Sequence, residues 1–218
     1  MSNHTAAFER PQTFGEEIAN AVSHGLALIA SIVAIPVLVI NAASTGSTSA
    51  IVGASIFGAT LFLLYLASML YHVMPAGKAK RVFVIIDHCA IFLLIAGTYT
   101  PFTLGVLSGP WGWSLFGVVW GLALVGILLK TILGTKYQNL SVALYLLMGW
   151  LVVVAVQPML EFVPLPGLLW LLAGGLFYTF GVVFFHFDHR LRYAHFVWHV
   201  FVFAGSFCHF MAVLGYAT

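Results

Sequence analysis

Two histidines near the carboxyl end of the chain, His195 and His199, are four residues apart. On an α-helix this spacing places both imidazoles on one face, and an H-x-x-x-H pair can bind one metal ion. Ser68 and His72 have the same spacing earlier in the chain, and a lone acidic residue, Asp87, follows within an apolar stretch. The sequence therefore contains groups that could bind a metal ion and accept a proton.

These groups lie in a strongly apolar chain. Of its 218 residues, 62% are hydrophobic and only 6% are charged, whereas about a quarter of the residues in a soluble domain are charged. This composition excludes a soluble globular protein and predicts membrane lipids as the partner. The formal net charge is +2 and the basic residues are scattered, so we expect no nucleic-acid-binding surface.

Apolar runs long enough to cross a bilayer determine the expected fold. We count seven such spans, at residues 18–40, 51–73, 84–106, 112–131, 141–160, 167–186 and 195–216. The runs lack the period-2 alternation of a membrane β-barrel. The sequence therefore predicts an all-α membrane protein, a seven-helix bundle at residues 18–216 that follows a short tail at residues 1–17. The tail lacks the features of a cleavable signal peptide, so we expect span one to target the chain.

Two smaller features concern packing within the bundle. Gly117 and Gly121 form a G-x-x-x-G pair on span four, and such pairs allow helices to approach closely. We expect this pair to face a neighbouring helix inside the bundle. Cys89 begins span three and Cys208 lies well inside span seven, so we expect no disulfide between them.

All eight Lys and Arg residues fall at one end of the predicted bundle. They lie before span one and around the loops that follow spans two, four and six: Arg10, Lys78, Lys80, Arg81, Lys130, Lys136, Arg190 and Arg192. The positive-inside rule places this end in the cytoplasm. The predicted N-terminus is therefore cytoplasmic, the predicted C-terminus lies on the opposite side, and we expect a multi-pass membrane protein.

This topology brings candidate groups from three helices to one depth, near the cytoplasmic ends of spans two, three and seven. In chain order they are Ser68, His72, Asp87, His88, His195 and His199. His209 is excluded from the set because it lies ten residues beyond His199, which is about 15 Å further along the helix axis. The three helices therefore form the expected site.

Our hypothesis for this site is a metal ion bound by His72, His195 and His199. Imidazole ligands without thiolates suit zinc, copper, iron or nickel, and three protein ligands with an open fourth position are typical of catalytic zinc. Asp87 is the candidate to hold and deprotonate a metal-bound water. Ser68, one turn from His72, is the candidate to orient an imidazole or the water.

Four separated stretches carry a family signature. They are E-E-I-A-N-A-V-S-H-G from Glu16, S-M-L-Y-H from Ser68, D-H-C-A-I-F-L-L-I-A-G-T-Y-T-P-F from Asp87 and H-F-V-W-H from His195. Together they resemble the bacterial hemolysin III family, within the progestin and adipoQ receptor group. The resemblance covers about residues 16–216 and implies a seven-helix fold. It also implies zinc at the positions of His72, His195 and His199, with Asp87 touching the zinc-bound water and Ser68 belonging to the same signature.

Three functions are compatible with this reading of the sequence. The first is a zinc-dependent hydrolase that cleaves an amide or ester bond of a lipid in membrane homeostasis, which relatives in the superfamily support only by analogy. The second is a non-enzymatic regulator of membrane lipid composition or energetics, in which zinc is structural. The third, suggested by the family's name, is a pore-forming cytolytic hemolysin. The hydrolase is the interpretation that uses Asp87 and Ser68 most directly.

The predicted topology can be tested with reporter fusions. We expect periplasmic signals after Thr45, Gly109, Glu161 and Thr218, and cytoplasmic signals after Lys78, Lys136 and Arg190. These results follow from seven spans combined with the positive-inside rule. A cytoplasmic C-terminus would contradict the seven-span topology and would separate the helices that form the expected site.

Overall fold

The computed structural model describes residues 10–217, which contain seven helical spans long and apolar enough to cross a membrane. Their bounds are Phe14–Ser44, Thr48–Val73, Lys78–Leu104, Pro110–Leu133, Gln138–Phe162, Leu165–His186 and Ala194–Tyr216. No strand occurs in the described part of the chain. The predicted all-α, seven-helix membrane bundle is therefore confirmed, while residues 1–9 of the predicted tail and Thr218 lie outside the described residues.

Span one begins at Phe14, four residues before the first apolar run predicted from the sequence. Thr13 and Glu16 form a capping box at this end, in which each side chain satisfies a backbone N–H of the other. Both guanidinium nitrogens at the tip of Arg10 also donate to the Glu16 carboxylate, and this hydrogen bonding raises the pKa of Arg10. Glu16 belongs to the helix because its carboxylate has these partners.

The same carboxylate connects span one to the loop before span seven. The backbone N–H of Tyr193 donates to Glu16 Oε1 over 2.8 Å. Tyr193 has a left-handed backbone with φ of 59°, a conformation that a non-glycine residue adopts only with local support. Glu16 therefore holds the start of span one against the start of span seven.

Span five is not one continuous α-helix. It consists of the helices Gln138–Gly149 and Val156–Phe162, joined by the 3₁₀ segment Leu151–Ala155. At the break, the Tyr99 hydroxyl lies 2.9 Å from the Met148 carbonyl and accepts the N–H of Val152 over 2.9 Å. Backbone groups freed within a bilayer need such partners, so the side chain from span three stabilises the interruption.

The outer surface of the bundle is apolar, and large hydrophobic side chains are exposed along every span. This surface would contact membrane lipids. Gly117 and Gly121 lie on it, and a Cβ built at either position meets no atom within 4 Å. The expectation that this pair packs inside the bundle is wrong, because span four turns the pair outward and buries Val119 and Ala123 instead. Both cysteines are free, as predicted.

Because successive spans run in opposite directions through short loops, all Lys and Arg residues lie at one end of the bundle, which we call the basic end. Spans two and six finish at this end, and spans one, three and seven begin there. Side chains at the ends of these five spans can therefore meet at the same depth.

Candidate metal centre

Three histidines from two spans meet at the basic end. His72 lies in the last turn of span two, and His195 and His199 lie in the first two turns of span seven. One ligand atom from each residue lies within 4.8 Å of the others, so the three side chains could hold a metal ion. The predicted convergence of these residues is therefore present in the structure.

The three imidazoles are shielded from solvent. His72 is 4% exposed and His199 is 1% exposed, while the side chain of His195 is 11% exposed. Ring centroids are separated by 5.1 Å for His72 and His195, 5.1 Å for His72 and His199, and 4.7 Å for His195 and His199. The near-equal spacing places the rings around a common centre.

Nδ1 of His72 is occupied by an acidic partner from span one. It lies 2.8 Å from Glu17 Oε2, and because a carboxylate only accepts hydrogen bonds, the imidazole donates. Glu17 Oε1 in turn accepts from Lys80 Nζ over 2.7 Å. The remaining nitrogen, His72 Nε2, is buried and has no hydrogen-bond partner within residues 10–217. The ring is thus held by one nitrogen and leaves the other unpaired.

Span-seven histidines are held in the same way. Nδ1 of His195 lies 2.9 Å from Asp188 Oδ2, in the loop before span seven. Nδ1 of His199 lies 3.3 Å from the Asn20 carbonyl and 3.1 Å from Ser23 Oγ, both on span one. Metal-binding histidines commonly donate their second nitrogen to a carboxylate or carbonyl, which fixes the tautomer and the ring orientation. All three rings therefore leave Nε2 for the common centre.

His24 lies directly against this cluster. Its ring stacks on that of His199 with 3.5 Å between centroids and 8° between planes. The ring of Tyr65 approaches its edge at 5.2 Å. Both nitrogens of His24 are buried without a hydrogen-bond partner in the described chain. The His199 ring is therefore packed against a third imidazole neighbour, His24, in addition to His72 and His195.

Asp87 and Ser68 lie on the wall of a cavity that adjoins the histidine cluster. The cavity has a volume of about 370 Å³, and His195 and His199 line the same space. Asp87 is 7% exposed and Ser68 is 1% exposed. The Ser68 hydroxyl has no hydrogen-bond partner among the described residues, and it faces the same cavity as the Asp87 carboxylate. The structure thus brings both predicted residues to the cluster.

Other sequence candidates have separate positions. His88, next to Asp87, also lines the cavity and carries a buried Nδ1 without a partner in residues 10–217. His209 is not in the three-histidine cluster, as the axial separation from His199 predicts.

The groups that hold the rings were not predicted from the sequence. Glu17, Asn20 and His24 follow an i, i+3, i+7 spacing on span one, which places them on one helix face. The predicted span one began at residue 18, so Glu17 was assigned to the tail, and only Asn20 and His24 shared a face of the predicted membrane helix. That part of the signal was readable. Asp188 gave no such signal, since it lies in a loop whose path the sequence does not define.

A seven-helix membrane protein with a three-histidine cluster at its basic end is the class that these features define. The chain belongs to the haemolysin-III family, since the family model described as Haemolysin-III related matches residues 12–210. It is 45% identical over 201 residues to Hemolysin-3 of Bacillus cereus, covering 92% of this chain and 91% of that protein. The resemblance noted in the sequence is therefore confirmed.

Two further relatives extend the comparison. The Hemolysin-3 homolog of Bacillus subtilis (strain 168) is 44% identical over 206 residues, covering 94% of this chain and 96% of that protein. The human Monocyte to macrophage differentiation factor is 30% identical over 166 residues, covering 74% of this chain and 68% of that protein. These matches include a mammalian member of the progestin and adipoQ receptor group.

The carboxylates that hold His72 and His195 generate a prediction. We expect Glu17→Ala and Asp188→Ala each to weaken metal binding about 10 to 100-fold, because loss of an outer hydrogen bond frees the ring that it orients. The measurement is competition with a chromogenic chelator on purified protein. Glu161→Ala is the matched control, since Glu161 is exposed at the opposite end of the bundle. Wild-type metal affinity in both Glu17→Ala and Asp188→Ala would contradict the role of these carboxylates.

Proposed function

We propose that this protein is a zinc-dependent hydrolase of the bacterial inner membrane that cleaves an amide or ester bond of a lipid. The observation that carries the proposal is the combination of three anchored imidazoles with an adjoining apolar cavity that contains Asp87. A structural metal site needs the first feature alone. A buried carboxylate on the wall of a lipid-sized cavity is what a hydrolytic site needs in addition.

The residues present fit zinc. Three imidazoles, each with Nδ1 occupied, offer three Nε2 atoms, and this set with an open fourth position is typical of catalytic zinc. The unpaired, buried Nε2 of His72 supports this fit, because an orphaned nitrogen in a membrane protein is costly unless a ligand pairs with it. A bound zinc ion would supply Lewis acidity that activates water and polarises a carbonyl.

Asp87 is the proposed general base. Its carboxylate lines the cavity beside His195 and His199, where it can accept a proton from the water that attacks the lipid carbonyl. As the bond breaks, the same carboxyl group can donate the proton to the leaving amine or alcohol. The Ser68 hydroxyl, free of other partners in the described chain, can donate to the Asp87 carboxylate or to the water and so orient it.

The cavity is suited to a long apolar chain. Its volume of about 370 Å³ lies within the ordinary range of ligand sites, which is roughly 300 to 1,000 Å³. Apolar side chains from spans three, five, six and seven form most of its wall, with Ile91, Leu94, Met159, Leu171 and Val202 among them. A lipid chain held there would place its carbonyl at the histidine end and exclude water from the rest.

The basic end gives the proposed site a location. The positive-inside rule assigns this end to the cytoplasm, so the metal centre would lie in the cytoplasmic leaflet, within reach of lipids from that side. The relatives from Bacillus carry the name hemolysin. The geometry of the site in this chain supports chemistry on a lipid rather than formation of a cytolytic pore.

Substitution of Asp87 distinguishes a catalytic role of the metal ion from a structural one. We expect Asp87→Asn to keep most of its zinc, because no imidazole ligand is lost. Its hydrolysis of lipid amides should fall about 10² to 10⁴-fold, the usual cost of losing a general base. The experiment loads wild type and variant with excess zinc, verifies equal occupancy, and follows release of fatty acid from a panel of lipid amides and esters. Glu161→Gln serves as a control for loss of a carboxylate elsewhere.

Wild-type turnover in zinc-loaded Asp87→Asn would contradict the proposed base. Full complementation of a deletion strain by an inactive Asp87→Asn variant would contradict hydrolysis as the biological function and would favour the regulator with structural zinc.

A further inference from the structure

A second group of polar side chains lies deeper in the bundle than the three-histidine cluster. It consists of Tyr65 on span two, Tyr178 on span six, and Ser206 and His209 on span seven, and we call it the mid-membrane cluster. The Tyr178 hydroxyl and Ser206 Oγ are 2.9 Å apart, and the rings of Tyr178 and His209 lie 5.3 Å apart. Tyr178 and His209 line the same cavity as Asp87.

Tyr178 and His209 of the mid-membrane cluster differ from the threonines on the cavity wall. The hydroxyls of Thr98 and Thr179 donate to the backbone carbonyls of Leu94 and Gly175, so their hydrogen-bonding needs are met within their own helices. In contrast, His209 Nδ1 and the Tyr65 hydroxyl are buried without a hydrogen-bond partner in residues 10–217. Unpaired polar atoms are especially unfavourable where no water can reach them, so the cluster has capacity for a polar ligand.

Two glycines make room for these rings. A Cβ at Gly205 of span seven would lie 2.8 Å from the Tyr178 ring, and a Cβ at Gly174 of span six would lie 2.7 Å from a carbon of the His209 ring. Each helix therefore lacks a side chain where the polar ring of the other helix packs. This reciprocal arrangement fixes both rings at the cavity wall and distinguishes them from polar side chains that merely fill space.

The chemistry of the cluster selects its ligand. A tyrosine hydroxyl both donates and accepts, and a neutral imidazole has one donor and one acceptor nitrogen. None of the four side chains of the mid-membrane cluster, all of them among the described residues, carries a fixed charge. These groups match a neutral hydroxyl or carbonyl group, and a carboxylate or phosphate would lack a counter-charge there.

The distance between the mid-membrane cluster and the histidine cluster determines where along the ligand the hydroxyl or carbonyl group must lie. His199 and His209 are ten residues apart on one helix, which corresponds to about 15 Å. Carbon–carbon bonds of about 1.5 Å advance an extended chain by roughly 1.3 Å each, so about ten to twelve bonds span the distance.

We propose that the mid-membrane cluster binds a hydroxyl or oxo group near the middle of a lipid acyl chain whose carbonyl lies at the histidine end of the cavity. The preferred substrates and products are therefore mid-chain oxygenated acyl lipids rather than plain saturated ones. This inference rests on the proposed hydrolase for the placement of the carbonyl, but the recognition itself is a binding property.

The test measures binding without turnover. Full-length protein, loaded with zinc in lipid nanodiscs, is saturated with a fluorescent fatty acid, which is then displaced by octadecanoic, 2-hydroxyoctadecanoic or 12-hydroxyoctadecanoic acid. We expect the 12-hydroxy acid to displace the probe at several-fold to about tenfold lower concentration than the other two, as one or two net hydrogen bonds would give. Equal displacement by octadecanoic and 12-hydroxyoctadecanoic acids would overturn the proposal. Displacement by 2-hydroxyoctadecanoic acid at concentrations as low as those of the 12-hydroxy acid would overturn it as well.

Variants locate the preference. Tyr178→Phe removes one oxygen and keeps the ring, so it should fold and should lose most of the preference for the 12-hydroxy acid, and His209→Phe should lose it as well. Thr98→Val is the control, because its hydroxyl is already bonded to its own helix, and the preference should remain. A preference that survives Tyr178→Phe would overturn the proposal. Preferential binding of the 12-hydroxy acid without any lipid hydrolysis would support the mid-membrane site and contradict the proposed hydrolase. Hydrolysis without preferential binding would support the hydrolase and contradict the mid-membrane site.

Discussion

An unpaired imidazole nitrogen inside a bilayer is energetically costly, and this constraint organises the basic end of the protein. His72, His195 and His199 each satisfy Nδ1 with a protein oxygen. With Nδ1 committed, the second nitrogen of each ring remains for the common centre. A hydrogen-bonded histidine pair in a helix core would use both nitrogens within the protein, whereas here Nε2 of His72 is buried without a partner among the described residues and the three rings lie close enough to hold a metal ion.

This constraint explains why residues far from the cluster matter to it. The partners of Nδ1 come from span one and from the loop before span seven, so both segments must be fixed relative to spans two and seven. Glu16 supplies that connection through Arg10, its capping box with Thr13 and the Tyr193 amide. Glu16 itself touches none of the three histidines, and its contribution is to hold together the segments that do.

Much of this architecture was readable from the sequence, because hydrophobic length sets the spans and charge sets their common end. The convergence of His72, His195 and His199 followed from helix periodicity once the seven spans were placed. Glu17 and Asp188 were missed because their partners depend on helix contacts and a loop path. The outward direction of Gly117 was also missed, since the apolar pattern of a membrane helix carries little information on which face is buried. The interruption of span five was missed because it depends on a contact with Tyr99 of span three.

The most direct test of the central claim is X-ray absorption spectroscopy at the zinc edge on purified, zinc-loaded protein. Three protein imidazoles with one oxygen ligand predict a first shell of nitrogen and oxygen at about 2.0 to 2.1 Å, with multiple scattering from three histidine rings and no sulfur at about 2.3 Å. His72→Ala should reduce the imidazole contribution by one ring. A protein that binds no zinc, a first shell with fewer than three imidazoles, or a His72→Ala spectrum identical to that of the wild type would contradict the account.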